Sequence, residues 1–186
     1  FLGKMLAPGQ QGAPHVGTFA TKDTAAINGY LKRADIKALL PANLANIRFA
    51  WGKTNAKTPD VTDLYALKGT RDNVAPLSGG VIVDARDTFD QLGKPAVSMQ
   101  MNGNGARKWE QITGAVSQQG NAIAIVLDNI VYSAPGVSKG AITGGQSEIS
   151  GNFTIEETKD LANILRAGKL PAAAEIVQSE VVGPSL

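Results

Sequence analysis

A helix with well-defined ends near the C-terminus is the feature that most constrains the fold of this chain. Thr154 and Glu157 have the spacing of a capping box, in which each side chain satisfies the backbone amide of the other residue. Helical spacing continues at the apolar residues Leu161, Ile164 and Leu165. Gly168 suits a left-handed helix end, and residues 172–182 then predict a long strand. A helix followed closely by a strand indicates a domain in which helices pack on a sheet.

The rest of the chain predicts further strands and helices in alternation. A second amphipathic helix follows Asn102, with its apolar face at Trp109, Ile112, Thr113 and Val116. Strand patterns occur at 16–19, 47–51, 64–67, 81–83, 95–101, 122–127, 130–132 and 146–149. We expect an irregular lead-in over 1–14, a charged turn at 84–87 and a tight hairpin at Asp128 and Asn129. This order predicts an α+β fold with helices on one face of mixed sheets.

Composition excludes several classes of function. The 18 basic and 16 acidic residues are interleaved along the chain, whereas a nucleic-acid surface needs clustered basic residues. The absence of cysteine excludes disulfides and thiolate metal sites, and His15 alone cannot form a zinc site. No apolar run reaches the roughly 20 residues of a membrane-spanning helix. The first residue is Phe1 and no signal peptide is visible, so we expect an excised fragment of a longer protein.

The candidate chemical motifs all have simpler structural explanations. Residues 103–108 resemble an anion-binding helix start but lack phosphate-loop spacing, which favours a strand-to-helix turn. Two acidic clusters are present, at Asp84, Asp87 and Asp90 and at Glu156, Glu157 and Asp160. The second lies in the first turns of a helix, where carboxylates favour the helix dipole without any catalytic role. We therefore expect no catalytic residue, no cofactor and no metal.

One loop and one segment boundary carry functional hypotheses. Residues 133–146 combine four glycines with Val137 and Ile142, which suits either a flexible loop that holds an unfolded segment or an ordinary hairpin connection. Residues 71–80, which include Pro76, Gly79 and Gly80, form the clearest internal boundary.

Many short segments together form a specific pattern: 78–89, 93–98, the Trp109 helix, 124–128, 131–135, 141–146, 149–151, the helix end at Leu165, Arg166 and Gly168, and 182–186. Their order and spacing resemble the large extracytoplasmic domain of the SecD family. The resemblance runs from Pro76 to Leu186, and the first 75 residues match less well.

The resemblance implies a two-part domain. A membrane-proximal base with a ferredoxin-like α+β fold would comprise 1–75 and 169–186, and would be incomplete here. An inserted head would comprise 76–168. Two hinge strands would join the base and the head. A hinge consists of a few residues whose backbone torsion angles change when the two parts move. The hinge residues would be Pro76, Gly79, Gly80, Gly168 and Pro171.

The family's activity, as the resemblance implies it, is not enzymatic. A SecD-like subunit would contact unfolded preprotein outside the inner membrane and use the proton gradient to favour export, together with SecF and the SecYEG channel. Proton-carrying residues would lie in membrane helices outside this chain, and Val182 to Leu186 would lead into one of them. Substrate would contact an apolar groove near Val137 and Ile142 in the periplasmic head. The alternatives are a non-catalytic periplasmic scaffold for Sec partner subunits, or an enzyme, for which the sequence shows no convergent acids.

Overall fold

The described residues form two β-sheets and four α-helices. The structure, a computed structural model, describes residues 2–10, 13–38, 47–55, 57–69, 75–137, 140–151, 153–167 and 175–179. The strands are β1 (Met5–Pro8), β2 (Gly17–Ala20), β3 (Ile47–Gly52), β4 (Val61–Lys68), β5 (Ile82–Phe89), β6 (Pro95–Met101), β7 (Ala122–Leu127), β8 (Ile130–Ser133), β9 (Gln146–Ser150) and β10 (Glu175–Ser179). The helices are α1 (Thr24–Leu31), α2 (Ala34–Ala38), α3 (Gly103–Gln119) and α4 (Ile155–Arg166). The predicted α+β class is confirmed, whereas the ferredoxin-like arrangement of the base stays a prediction.

The larger sheet closes on itself. Its seven strands have the order β1-β2-β4-β10-β7-β8-β3, and an additional pairing joins β3 to β4. Strands β3, β4, β10, β7 and β8 therefore form a closed ring. The pairing of β3 with β8 is parallel, with Trp51 opposite Ile130, and the other pairings in this sheet are antiparallel. One buried cluster joins four of these strands, β3, β4, β7 and β8, through Ala50, Leu67, Ala124, Val126 and Val131.

The smaller sheet supports the main core. Its three strands have the order β5-β6-β9, and both pairings are antiparallel. Helices α3 and α4 and strand β7 contribute apolar side chains to the same buried cluster, which includes Val97, Met99, Trp109, Val116, Ile123, Ile125, Ile149, Leu161 and Leu165. Two sheets and two helices thus share one core.

The expected charged turn at 84–87 is wrong, because these residues form the middle of β5. Strand β5 pairs with β6 from Ile82 to Phe89, and Ala85 points into the core with only 1% of its surface exposed. Arg86 and Asp87 are exposed and Asp84 is half-buried, so the strand carries these charges without fully burying any of them. The actual turn follows Asp90, whose Oδ1 accepts hydrogen bonds from the amides of Leu92 and Lys94, each 2.8 Å away.

The expectation of an irregular lead-in over 1–14 is also wrong in part. Residues 5–8 form β1, which pairs antiparallel with β2. Gly17 allows this close approach, because a Cβ at that position would lie 2.9 Å from the Ala7 carbonyl oxygen. A pairing with a strand further along the chain overrides the local glycine and proline signals.

Three other predictions from the sequence are confirmed. The Thr154 amide donates to Glu157 Oε2 at 2.8 Å, and the Glu157 amide donates to Thr154 Oγ1 at 3.2 Å, which completes the capping box. Asp128 and Asn129 have φ values of 48° and 65°, as a tight hairpin between β7 and β8 requires. Strand β10 lies within the strand expected at 172–182.

The predicted division into base and head stays a prediction. Gly79 lies in a 3-10 turn, Gly79–Val81, next to the buried Leu77, and Pro76 and Gly80 are also described. Gly168 and Pro171 lie outside the described residues. Strands β7 and β8 belong to the range expected for the head, and they pair with β10 and β3, which belong to the range expected for the base.

Candidate functional site

The candidate site is an apolar groove of about 300 Å³ beside the main core. It lies where α3, β7, β9 and the segment after β8 meet. Its lining residues are Trp109, Ile123, Ile125, Pro135, Gly136, Val137, Ile142, Gln146, Ser147, Glu148, Ile149 and Ser150. Apolar concave sites with a few polar groups are the usual form of binding sites in proteins.

Helix α3 places Trp109 in the groove. The helix starts at an Asn102 cap, whose side chain accepts a hydrogen bond from the Gly105 amide at 2.9 Å. The expected strand-to-helix transition is present, but Asn102 alone separates β6 from α3, and residues 103–108 form the first turns of the helix. Trp109 is only 4% exposed, and its indole Nε1 finds no hydrogen-bond partner among the described residues.

Val137 and Ile142 both line the groove, as the loop hypothesis requires. Both side chains are half-buried and pack against the main core. Two hydrogen bonds tie the loop to α3. The Ile142 amide donates to Thr113 Oγ1 at 2.8 Å, and the Gly140 amide donates to Ser117 Oγ at 3.1 Å. The contact role of Val137 and Ile142 stays a prediction.

Several groove residues were not expected from the sequence. Trp109 and the strand at 122–127 looked like core, and β9 looked like an ordinary strand. The groove forms because α3, β7 and β9 meet through pairings between distant segments. A tryptophan on a helix face is a weak signal, since most such residues are simply buried.

Three of the six acidic residues singled out in the sequence have clear structural roles. Asp84 pairs with Arg86 at 2.7 Å, Asp90 orders the β5–β6 turn and Glu157 completes the capping box. Among the described residues, no group of three or more acidic, histidine or cysteine side chains is placed to hold a metal ion. His15 packs edge-on against the Tyr65 ring, with centroids 6.1 Å apart.

A strongly shifted titratable side chain, Tyr65, lies outside the groove. Burial, together with the nearby Asp63 carboxylate, raises the pKa of Tyr65 to about 12. Its ring packs against the cluster that joins the closed ring of strands. The cause is burial in the fold, so the shift points to structure rather than to chemistry.

A second, smaller cavity of about 140 Å³ lies between β3, β8 and α4. Its lining residues are Lys53, Thr54, Asn55, Tyr132, Phe153, Glu157 and Leu161. Lys53 Nζ lies 5.1 Å from the centre of the Tyr132 ring, a cation–π contact. This cavity is more polar and about half the volume of the groove.

Comparison with known proteins gives the family. Residues 63–172, more than half of the chain, match the family described as SecDF, P1 head subdomain. The chain belongs to the SecD/SecDF family. All groove residues lie within the matched range.

Individual SecD and SecDF proteins show the same relationship. The protein translocase subunit SecD of Rhodothermus marinus is 43% identical over 175 residues, which cover 91% of this chain and 26% of that protein. The subunit SecDF of Thermus thermophilus is 43% identical over 110 residues, or 59% of this chain and 15% of that protein. The chain therefore spans about a quarter or less of these relatives.

Solved SecDF structures are also similar. A SecDF crystal structure in the super-membrane-facing form matches 76% of this chain and 21% of that chain, at 32% identity and a TM-score of 0.48. A second, described as a membrane component SecDF that enhances protein export, matches 87% of this chain and 61% of that chain, with a TM-score of 0.46. Within the described part of this chain, no helix has the length and apolar character needed to cross a membrane.

Proposed function

We propose that this chain is the extracytoplasmic domain of a Sec translocase accessory subunit that contacts emerging preprotein and assists proton-driven export. The observation that carries the proposal is the apolar groove of about 300 Å³ inside the range that matches the SecDF head. The domain acts by binding and movement and catalyses no reaction.

The size of the groove suits a transient contact. Full burial of one apolar side chain contributes about 1.5–3 kcal/mol. A cavity of about 300 Å³ holds only a few such side chains, and association entropy offsets part of the gain. The expected affinity is therefore weak. A weak contact lets a polypeptide be held briefly and released as it leaves the membrane.

The proposal includes the cellular setting and the moving parts. The domain lies in the periplasm as part of an inner-membrane protein, and it works beside SecF and the SecYEG channel. Proton transfer takes place in membrane helices of the parent protein. The head, 76–168, moves relative to the base on its hinge residues, which are Pro76, Gly79, Gly80, Gly168 and Pro171.

Site-specific photo-crosslinking tests the proposal. A photoreactive residue is placed at Ile142 or Val137 in the full-length parent protein, with a preprotein stalled in the channel. We expect a crosslink to the preprotein from both positions. The control position is Leu92, which is 81% exposed on the β5–β6 turn and does not line the groove. Crosslinks at Leu92 without any at Ile142 or Val137 would show that the preprotein contacts a surface outside the groove.

A substitution gives a second test. Ile142→Asp places a charge in the apolar groove, and we expect it to slow export and to reduce crosslinking from Val137. The matched control is Leu92→Asp, which adds the same charge at an exposed site. Circular dichroism and urea unfolding verify that both variants fold. Unchanged export by a folded Ile142→Asp variant would contradict the proposal.

A scaffold for partner subunits is the second candidate function. It draws support from the apolar tip of the β5–β6 hairpin, where Phe89 is 59% and Leu92 81% exposed. Crosslinks from Leu92 to a Sec subunit, with no preprotein crosslink anywhere in 76–168, would favour this role.

A further inference from the structure

We propose that an extended polypeptide segment occupies the groove by adding a strand to the free edge of β9. This inference rests on the proposed function and specifies how the substrate is recognised. The segment binds mainly through its backbone, so that many different sequences fit. Recognition by strand addition takes affinity from main-chain hydrogen bonds and selectivity from pockets for alternate side chains.

Strand β9 presents an edge to the groove. It is the last strand of the smaller sheet, and among the described residues it pairs only with β6. All of its residues, Gln146–Ser150, line the groove. Successive side chains of a strand point to opposite faces of the sheet, so a groove on one face would contact only every second residue. Because every residue of β9 lines the groove, the groove lies along the edge of this strand.

The ladder register shows which backbone groups point into the groove. The Met101 amide donates to the Gly145 carbonyl at 2.8 Å, and the register continues with Met99 opposite Ser147. Hydrogen-bonded pairs alternate along an antiparallel ladder, so Ser147 and Ile149 bond to β6. The amides and carbonyls of the intervening residues, Gln146, Glu148 and Ser150, therefore point away from β6. Unpaired groups of this kind are a template for another strand.

Trp109 supplies a second, independent indication of a peptide. Its side chain lines the groove and is 4% exposed, and its Nε1 donor has no partner among the described residues. A buried donor without an acceptor costs about 1–3 kcal/mol. Nε1 itself is closed to solvent in the unoccupied groove, so a small rotation of the indole has to expose it. A peptide carbonyl then accepts the hydrogen bond, whereas a hydrocarbon ligand leaves the cost in place. A suitable ligand therefore has carbonyl acceptors together with apolar side chains, and a polypeptide provides both.

The charge of the groove adds a preference. Glu148 is the one ionisable side chain among the described lining residues. Its carboxylate favours a neutral or basic segment and repels an acidic one. We therefore expect extended apolar segments with lysine or arginine to bind more tightly than the same segments with glutamate.

Backbone methylation of a probe peptide tests the inference. The probe is a nine-residue peptide of alternating valine and threonine with a central lysine, and it is titrated into the 15N-labelled chain. Two further versions carry N-methyl groups on alternate residues. In one version the methyl groups lie along one edge of the extended peptide, and in the other version they lie along the opposite edge. We expect methylation of one edge to weaken binding by about tenfold or more, because it removes two or more hydrogen bonds. Methylation of the other edge should change binding by less than about threefold.

The same titration also reports on two groups of the protein, the Trp109 indole and the Glu148 amide. We expect a downfield shift of the Trp109 indole proton and slower solvent exchange of the Glu148 amide. Equal binding of both methylated peptides would overturn the strand-addition inference while leaving the groove as a peptide site. If none of the three versions bound, both this inference and the proposed groove function would fail.

A pair of variants provides an independent check. Glu148→Pro removes an outward amide without removing a ladder bond to β6, and Glu148→Gln keeps the amide. With a neutral probe peptide, which eliminates the charge difference, we expect the proline variant to bind several-fold more weakly than the glutamine variant. Equal binding by two folded variants would count against pairing at this edge.

Discussion

At the scale of single residues, Arg166 links the end of α4 to β5. Its Nε and Nη2 both donate to the Ala85 carbonyl oxygen, at 3.1 and 2.7 Å, and its Nε lies 3.8 Å from Asp84. Hydrogen bonds from a charged donor contribute more than neutral ones, although half of this side chain is exposed to solvent. We expect Arg166→Ala to lower the free energy of unfolding by about 1–2 kcal/mol.

Urea unfolding measures this effect. The matched control is Arg107→Ala, since Arg107 Nη2 donates to Asn104 Oδ1 at 2.6 Å on the exposed surface of the same helix, α3. The control should change the free energy of unfolding by less than about 0.5 kcal/mol. Equal effects of the two substitutions would show that the Ala85 contact does not stabilise the fold.

Tyr65 makes stability depend on pH in the alkaline range. Burial raises its pKa to about 12, above the value of about 10 expected in the unfolded chain. The folded state therefore favours the protonated phenol. This contribution is fully present below pH 10 and is lost as the pH rises from about 10 to about 12. The shift corresponds to a loss of the order of 2 kcal/mol.

Unfolding experiments between pH 9 and 12 detect this loss. We expect Tyr65→Phe to reduce the alkaline dependence, because phenylalanine has no proton to release. Tyr30→Phe is the matched control, since Tyr30 is 40% exposed. Identical pH profiles for the native chain and Tyr65→Phe would contradict the assignment.

At the scale of elements, the β7–β8 hairpin depends on two residues with positive φ. Asn129 has a φ of 65°, which asparagine and glycine adopt far more readily than β-branched residues. We expect Asn129→Val to lower the free energy of unfolding by about 1–2 kcal/mol, and Asn129→Gly to leave it nearly unchanged. Thermal unfolding distinguishes the two variants, and equal midpoints would show that the turn relaxes to another conformation.

At the scale of the whole molecule, a substitution in the proposed hinge can change the motion of the head without lowering the stability of the fold. A Cβ at Gly80 would meet no atom within 4 Å, and the φ of Gly80 is outside the left-handed region. Gly80→Ala should therefore keep or slightly raise the free energy of unfolding, by up to about 1 kcal/mol. If Gly80 absorbs backbone change during head movement, the same substitution should slow export.

An export assay in the full-length parent protein measures this prediction. Gly29→Ala is the matched control, since a Cβ there also meets open space and Gly29 lies in α1, away from the boundary. Gly29→Ala should leave export unchanged. Equal export rates for the two variants would show that Gly80 is not a hinge residue.

The sequence by itself determined the features that depend on neighbouring residues. The capping box of α4, the buried face of α3 and the Asp128–Asn129 hairpin were all predicted correctly. Helical and strand periodicities, caps and tight turns involve residues only a few positions apart, so their signals are complete within short segments. Many such segments in a fixed order also identified the SecD family.

The tertiary structure alone decided what depends on distant pairings. The charges at 84–87 indicated a turn, but pairing with β6 and packing of Ala85 on the core keep β5 extended. Pairing with β2 likewise makes a strand of 5–8. The groove needs Trp109, Ile125 and β9 to meet, although they are far apart in the chain. No short segment contains that information, because register and closure are set by which strands pair across the whole domain.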